Sequence, residues 1–138
     1  MAVTDFSSIR DDVFERYDAE VAFVEELPTQ YPNADFDRPN AGPWAELQVI
    51  QTQEEQKSFG DPGNNRWDVE GTMGVRLFIP IGSGTSRQES IIDTIKTAFE
   101  SKKQNGIVWL AASVQEVGRV QNDWLFVVNV PFQAHVFK

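Results

Sequence analysis

The chain has 138 residues, of which 41% are hydrophobic and 24% are charged, so we expect a single soluble domain over residues 1–138 with one buried core. It contains no cysteine and only one histidine, His135, which excludes disulfides, thiolate catalysis and sulfur-bound zinc and leaves little scope for imidazole chemistry. Twelve basic and twenty-one acidic residues give a net charge of -9, the wrong sign for wrapping nucleic acid or binding anionic membranes.

The chain lacks the apolar segments that direct proteins to membranes. Nothing approaches a run of about eighteen apolar residues, so no transmembrane helix is expected. The N-terminal stretch MAVTDFSSIRDD has neither the basic start nor the apolar middle of a secretory signal. We therefore expect a cytoplasmic origin.

The first predicted element is an amphipathic helix over residues 5–24. Its apolar side chains recur at spacings of three and four residues, which is typical of one buried helix face. They are Phe6, Ile9, Val13, Tyr17, Val21 and Val24. Acidic residues occupy most of the other face, and we interpret them as a solvated surface and not as a metal site.

A proline-rich connection follows, and it precedes two predicted strands. Within it, NADFDRPN begins like a calcium loop, but Arg38 stands where the tight turn needs glycine and Trp44 stands where glutamate would chelate. No metal site is therefore predicted. The strands are PWAELQVIQT and GTMGVRLFIPI, which both alternate apolar and polar residues. Between them lies QEEQKSFGDPGNNRWDVE, and a polar connection of this length is often functional or disordered.

A second helix and two closing strands complete the chain. The helix is predicted over Glu89–Lys103 and is ended by Asn105–Gly106. The strands are IVWLAASVQEVG and DWLFVVNVPFQAHVF, joined by RVQN. The order helix, strand, strand, helix, strand, strand predicts an α+β fold, in which a four-stranded, mainly antiparallel sheet has two helices packed on one face.

The stretch PIGSGTSRQES has the look of a phosphate-binding loop. A Walker loop needs a lysine after its last glycine, and a dinucleotide loop needs a third glycine where this chain has Arg87. Ser86 and Glu89 instead have the spacing of a helix capping box. We interpret the stretch as a turn into the second helix, although the helix N-terminus and Arg87 could hold an anion or a carboxylate of a neighbouring subunit.

The pattern supports no catalytic, cofactor-binding or metal-ligating constellation. The lone histidine in an apolar strand is interpreted as structural. With twenty-one acidic residues, some pair of carboxylates will be adjacent by chance, so no acid–base pair can be argued. We predict that the protein is not an enzyme and uses no cofactor.

The chain as a whole resembles the tail terminator, or tail completion, proteins of long-tailed bacteriophages and phage-like particles. The segments that carry the resemblance are GPWAELQVIQTQ, EGTMGVRLFIPIGSG, SIIDTIKTAFES and VNVPFQAHVFK, in this order and with a long polar loop after the first. The resemblance covers nearly the full length and implies helices packed on one side of a β-sheet. Several phage neck proteins share related folds, so a stopper or another completion protein stays open as an alternative place in the neck.

The resemblance also implies a function and partners. It implies a hexameric ring that caps the tail tube, ends its polymerisation and joins it to the head connector or stopper, with DNA passing through the lumen unbound. The protein would then belong to the virion neck, after assembly in the host cytoplasm. In the family the long loop reaches toward other tail components. Here that loop is Gln53–Glu70, and Phe59, Arg66 and Trp67 are its expected anchors, because aromatic residues and arginine dominate interface energetics.

Two hypotheses therefore remain. The first is a structural ring protein of a phage neck. The second is a small enzyme that binds an anion or nucleotide with the loop Gly82–Arg87. Local packing is the simpler explanation to weigh for each of the interface residues named above.

Overall fold

One sheet and two helical segments make up the fold, and the computed structural model describes residues 5–39 and 41–138. The elements in chain order are α1 (Phe6–Tyr17), a π-helical turn (Asp18–Ala22), α2 (Phe23–Glu25), β1 (Thr29–Gln30), β2 (Trp44–Gln56), β3 (Arg66–Pro80), α3 (Ser86–Phe99), β4 (Lys103–Gln104), β5 (Ile107–Trp109), β6 (Ser113–Val120) and β7 (Asp123–Phe137). The predicted α+β class with two helices is confirmed.

The sheet has seven strands, so the predicted number of four was wrong. Its order is β1-β2-β3-β7-β5-β4, and β6 also pairs with β7. All pairs are antiparallel except β1 with β2. The four predicted strands correspond to β2, β3, β7 and the segment that holds β5 and β6. The additional strands β1 and β4 have two residues each and are held by longer neighbours, so they show no alternation from which to predict them.

The third predicted strand is in fact two strands, β5 and β6, that follow one another along the same edge of β7. Trp109 pairs with Phe132, whereas Ser113 pairs with Asn129. The break lies beside Pro131 of β7, which has no N–H to donate to a ladder. Its carbonyl still accepts a hydrogen bond from the Leu110 amide at 2.9 Å.

Helix α3, which corresponds to the second predicted helix, lies closer to the N-terminus than predicted. It spans Ser86–Phe99 and does not reach Asn105–Gly106. These two residues have φ of 53° and 84° and form the two-residue turn between β4 and β5. Asparagine–glycine favours this hairpin geometry, because both positions need a positive φ.

The first helix changes its buried face near its end. Val21 is buried as predicted, but Val24 is 60% exposed and Glu25 is buried instead. The π-helical turn at Asp18–Ala22 explains the change, because it takes in one residue more than an α-helical turn and rotates all later positions. The end of this helix therefore presents a carboxylate to the protein interior.

The main core lies between the helices and one face of the sheet. On this face β3 and β7 contribute side chains at every second position, and Met73, Val75 and Val128 are fully buried. A smaller cluster covers one end of the opposite face, where Trp44 stacks on Phe78 with ring centroids 4.2 Å apart. Most of the rest of that face is polar, although Ile50 and Phe137 are exposed on it.

Candidate protein–protein interface

The connection between β2 and β3 forms the tip of a strand arm. The loop predicted over Gln53–Glu70 was too long, since β2 continues to Gln56 and β3 begins at Arg66. The end of β2 is polar on both faces, so alternation could not reveal it, whereas in β3 the core-facing Trp67 and Val69 alternate with polar residues. The loop proper is thus residues 57–65, and its base is fixed by a hydrogen bond of 2.8 Å from the Lys57 amide to the Arg66 carbonyl.

Phe59 is the most exposed of the predicted anchor residues. Its side chain lies in the loop 57–65 and is 77% exposed. The two ends of that loop are held in place, because the Arg66 amide donates to the Ser58 hydroxyl at 2.7 Å and Asn65 pairs with Lys138 at 2.9–3.1 Å. An exposed aromatic ring on a fixed base is available to a partner.

Trp67 is turned toward its own chain. It packs against the main core, and Lys138 lies over its ring with Nζ 4.7 Å from the centroid. Its Nε1 is buried and has no hydrogen-bond partner among the residues that the structure describes. Local packing therefore accounts for most of the Trp67 surface, and its predicted role at an interface stays a prediction.

Arg66 belongs to a charged cluster on the polar sheet face. Its Nε lies 3.0 Å from Asp68 Oδ1, which also contacts His135 Nδ1 at 2.8 Å. Burial raises the pKa of Asp68, but the hydrogen bonds from His135 and Arg66 and their charges outweigh it and lower the pKa overall. Within the described parts of the chain, no serine or threonine hydroxyl is recorded on the imidazole, as a nucleophilic triad would require.

Arg87 binds a carboxylate, and that carboxylate is Glu25 of the same chain. Arg87 Nη1 lies 2.8 Å from Glu25 Oε2, and Nη2 donates to the Glu25 carbonyl. Ser90 and Thr94 donate to Glu25 Oε1 at 2.8 and 2.7 Å. This cluster, which we call the Glu25 clamp, joins the C-terminal end of the first helix to α3.

The Glu25 clamp stabilises the charged form of its carboxylate. Burial raises the pKa of Glu25, but hydrogen bonds from Thr94, Ser90 and Arg87 together with the charge of Arg87 lower it below its usual value. The sequence offered no sign of this pairing, because the two partners lie 62 residues apart. Arg87 serves the fold here, and a role for it between subunits is not tested by this geometry.

The loop between β3 and α3 is built as a turn. Gly82 and Gly84 both have positive φ, 91° and 80°, and the Ser83 hydroxyl donates to the Pro80 carbonyl at 2.6 Å. The predicted capping box was wrong, because α3 begins at Ser86 and Thr85 is its N-cap, without a side-chain capping bond. With Arg87 engaged by the Glu25 clamp, the loop has no uncommitted cation for a phosphate.

Two exposed apolar surfaces were not predicted. Phe23 is 80% exposed beside Val24, because the π-helical turn rotates both outward. On β6, Val114, Val117 and Val120 are exposed. These valines are three residues apart, whereas side chains on one face of a strand recur at every second residue. A bulge between Glu116 and Gly118 places the valines on either side of it on different faces of the sheet.

The described residues contain no group of three or more histidine or acidic side chains that could hold a metal ion. None of the helices in the described part of the chain is long and apolar enough to span a membrane.

Comparison with known proteins identifies the family. The model of the phage tail terminator protein family matches residues 8–131. The chain belongs to this family. One solved structure is similar to this chain, with 17% sequence identity and a TM-score of 0.62. The match covers 91% of this chain and 94% of that chain, so the two proteins share the same fold. No curated protein matches the chain.

Family membership confirms the resemblance and places the terminator in a phage tail as a structural component of the virion. The family is a structural one, and its members interact with tail and head proteins. The described surfaces that expose large apolar side chains include the tip at Phe59, the pair Phe23 and Val24, and β6.

Proposed function

We propose that the protein forms a hexameric ring that caps the finished tail tube, ends its polymerisation and joins the tail to the head connector. The match to the tail terminator family over residues 8–131 carries this proposal. Assembly would take place in the host cytoplasm, and the ring would remain in the neck of the virion.

The arm that ends in the loop 57–65 is proposed to contact the tail tube. Phe59 would enter an apolar pocket of a tube subunit, since buried aromatic anchors contribute most of the binding free energy in many interfaces. Arg66 lies at the base of the same loop and could pair with an acidic group of the tube protein. The arm is tied to the C-terminus of β7, so little ordering entropy opposes binding.

DNA is proposed to pass through the ring without being held. The net charge of -9 opposes phosphate binding. Many of the basic side chains are already paired with carboxylates of the chain. These are Arg38, Lys57, Arg66, Arg76, Arg87 and Lys138. Half of the twelve basic side chains are thus already neutralised by carboxylates of the chain itself.

Tube assembly in the presence of the protein tests the proposal. Tail-tube protein is polymerised with and without it, and tube ends are imaged by electron microscopy. We expect a ring at one end of each tube and no further growth there. A protein that stays monomeric with tube protein present and never binds a tube end would refute the proposal.

Two exposed phenylalanines give a matched pair of variants for the arm. Phe59→Ser removes the tip ring, and Phe23→Ser removes an equally exposed ring at the end of the first helix. We expect Phe59→Ser to lose tube capping and Phe23→Ser to retain it, with both proteins folded by circular dichroism. If Phe59→Ser caps tubes as well as the unmodified protein does, the tip does not contribute to the contact with the tube.

A further inference from the structure

An open apolar pocket lies beside α3, where β3 ends and β7 begins. Ile79 and Phe126 line it from the buried side, together with Trp124 and Ile81, which are 37% and 44% exposed. Its volume is about 220 Å³, and an apolar cavity of about 150 Å³ is enough to hold a benzene ring. The pocket is therefore large enough to take up one aromatic side chain.

The pocket opens on the helix side of the sheet, next to β6. Ile79 pairs with Trp124, and Glu116 of β6 pairs with Phe126. Ile79 and Phe126 belong to the main core, so all four side chains point to the face on which the helices lie. The contribution of α3 to the wall is Gln88. The β6 end of this face thus keeps an apolar surface open to a partner.

An exposed aromatic side chain lies on the other side of α3. Phe23 is 80% exposed at the end of the first helix. Two residues later, Glu25 is bound by Ser90 and Thr94 of α3, and successive residues of a helix are turned by about 100°, so Phe23 points away from α3. By the same geometry Gln88 lies on the flank of α3 opposite to Ser90. The pocket and Phe23 therefore face in opposite directions.

The pocket and Phe23 also lie at the same level along the strands. Just after the first helix, the Pro28 carbonyl accepts a hydrogen bond from the Ala45 amide at 2.9 Å. Ala45 pairs with Leu77, which pairs in turn with Phe126 of the pocket. A rotation about an axis along the strands keeps this level. It therefore brings Phe23 of one copy opposite the pocket of the next.

The charged side chains beside the two surfaces have opposite signs. Glu26 is exposed three residues after Phe23. Arg119 pairs with Trp124 in the sheet and so lies on the face that holds the pocket. Its guanidinium donates to the Gln121 carbonyl at 3.2 Å, and no carboxylate in the described parts of the chain pairs with it. A neighbouring copy can supply that carboxylate.

We propose that Phe23 of one copy enters the pocket beside α3 of the next copy, with Glu26 facing Arg119. Because the two surfaces come from different parts of the chain, the contact is head-to-tail, and contacts of this kind form closed rings. This inference rests on the ring proposed above and names the surfaces through which its copies touch. The occupant of the pocket is a second copy of this chain.

This contact is separate from the one proposed for Phe59, which lies in the loop at the far end of β2 and β3. On a tube end, neighbouring copies are held side by side at a high effective concentration. Phe23→Ser should therefore still cap tubes, as expected above, although its copies associate weakly in free solution. Phe59→Ser should behave in the opposite way.

Native mass spectrometry of the free proteins tests this difference. We expect multimers of the unmodified protein and of Phe59→Ser, and monomers of Phe23→Ser at the same concentration, because loss of an aromatic anchor weakens a contact about tenfold or more. Multimers that persist in Phe23→Ser would overturn the proposal. Multimers lost in Phe59→Ser alone would also overturn it, since they would assign the contact between copies to the arm.

Cross-linking on capped tubes tests the geometry without requiring a ring in free solution, and the chain has no native cysteine to interfere. Ala19→Cys places a thiol about one turn before Phe23, and Gln88→Cys places one at the pocket. The two single variants are mixed with tube protein and treated with a short bismaleimide, and we expect heterodimers. Gln133→Cys in place of Gln88→Cys is the matched control, because Gln133 is exposed on the opposite face of the sheet, and should give none.

The outcomes separate this contact from the capping function. Capped tubes without heterodimers would refute the contact and leave the capping function standing. Homodimers of Ala19→Cys alone would refute it in favour of a two-fold contact between first helices. Tubes that the unmodified protein never caps would refute the proposed function, whereas free multimers that depend on Phe23 would still support the contact between copies.

Discussion

The long strands of the sheet cross two different environments. In one half, α1 and α3 cover the sheet, and side chains such as Phe99 and Phe132 are almost completely buried. In the other half the strands continue as an arm, where β2 is exposed from Ile50 to Glu55 and the pair Lys138–Glu54 takes the place of apolar contacts. One half therefore supplies most of the stability, and the other supplies surface for partners.

This division suits a protein that must fold alone and then assemble. Apolar burial of the helix-covered half is independent of any partner, so the arm can expose an aromatic tip without threatening the fold. The two tasks should then respond separately to mutation, and the following predictions test that separation.

The largest difference is expected between two phenylalanines. Phe99→Ala should lower the free energy of unfolding by about 3–5 kcal/mol, because it opens a cavity in the core. Phe59→Ala should change it by less than about 0.5 kcal/mol, because the ring is already exposed. Urea denaturation of both variants measures the difference. A large loss of stability in Phe59→Ala would show that the tip packs on its own chain.

A glycine at the boundary between the two halves should be the next most sensitive position. A Cβ on Gly71 would lie 2.5 Å from the Phe132 ring and 2.6 Å from the Ile50 carbonyl oxygen, so Gly71→Ala should cost about 1–3 kcal/mol through overpacking. At Gly74 the nearest atom is the Asn129 Oδ1 at 3.2 Å, and Gly74→Ala should cost less. Thermal unfolding of both variants measures the two losses of stability. Equal losses would contradict the prediction.

The contrast between the two halves also explains what the sequence could reveal. Strands β3 and β7 alternate over fifteen residues each, so apolar burial made β7 and the part of β3 from Gly71 onward predictable. The end of β2 is polar on both faces, and its pairing depends on backbone bonds that leave no pattern. The first residues of β3 do alternate, with Trp67 and Val69 toward the core, but they were assigned to the loop. The exposure of Phe59 followed from its polar neighbours, whereas the free edge of β6 depends on the strand order of the whole sheet.

Two further errors have local physical causes. The π-helical turn changed the phase of the first helix, so Glu25 replaced Val24 in the interior, and a helical wheel drawn with a constant period cannot show this. Arg87 was predicted to hold an anion or a carboxylate of a neighbouring subunit, and in the structure it binds a carboxylate from a distant part of its own chain. The sequence thus indicates which kind of group an arginine can bind more readily than it indicates which residue supplies that group.

The Glu25 clamp should make stability depend on pH. Its folded pKa is lowered from the usual 4.5, so the carboxylate stabilises the fold above that pH, and this contribution is lost as pH falls through the lower folded value. Glu25→Gln should cost roughly 1–3 kcal/mol at neutral pH, and the difference from the unmodified protein should shrink below about pH 4.5. Melting temperatures across this range measure the effect. A difference that stays constant down to the acid limit would contradict the assignment.

A small effect on stability is also expected at Arg66, in the arm. Its ion pair with Asp68 lies on an exposed sheet face, and such pairs contribute about 0–1 kcal/mol, so Arg66→Ala should unfold almost like the unmodified protein. What remains of its effect should vanish in about 1 M salt, where screening acts within roughly 3 Å. Arg87→Ala is the control, because it leaves the buried Glu25 carboxylate without its cation and should lose more stability at any salt concentration. If Arg66 contacts the tail tube, Arg66→Ala will cap tubes less well at unchanged stability. Unchanged capping would restrict the contact to the Phe59 tip and leave Arg66 as a purely local partner of Asp68.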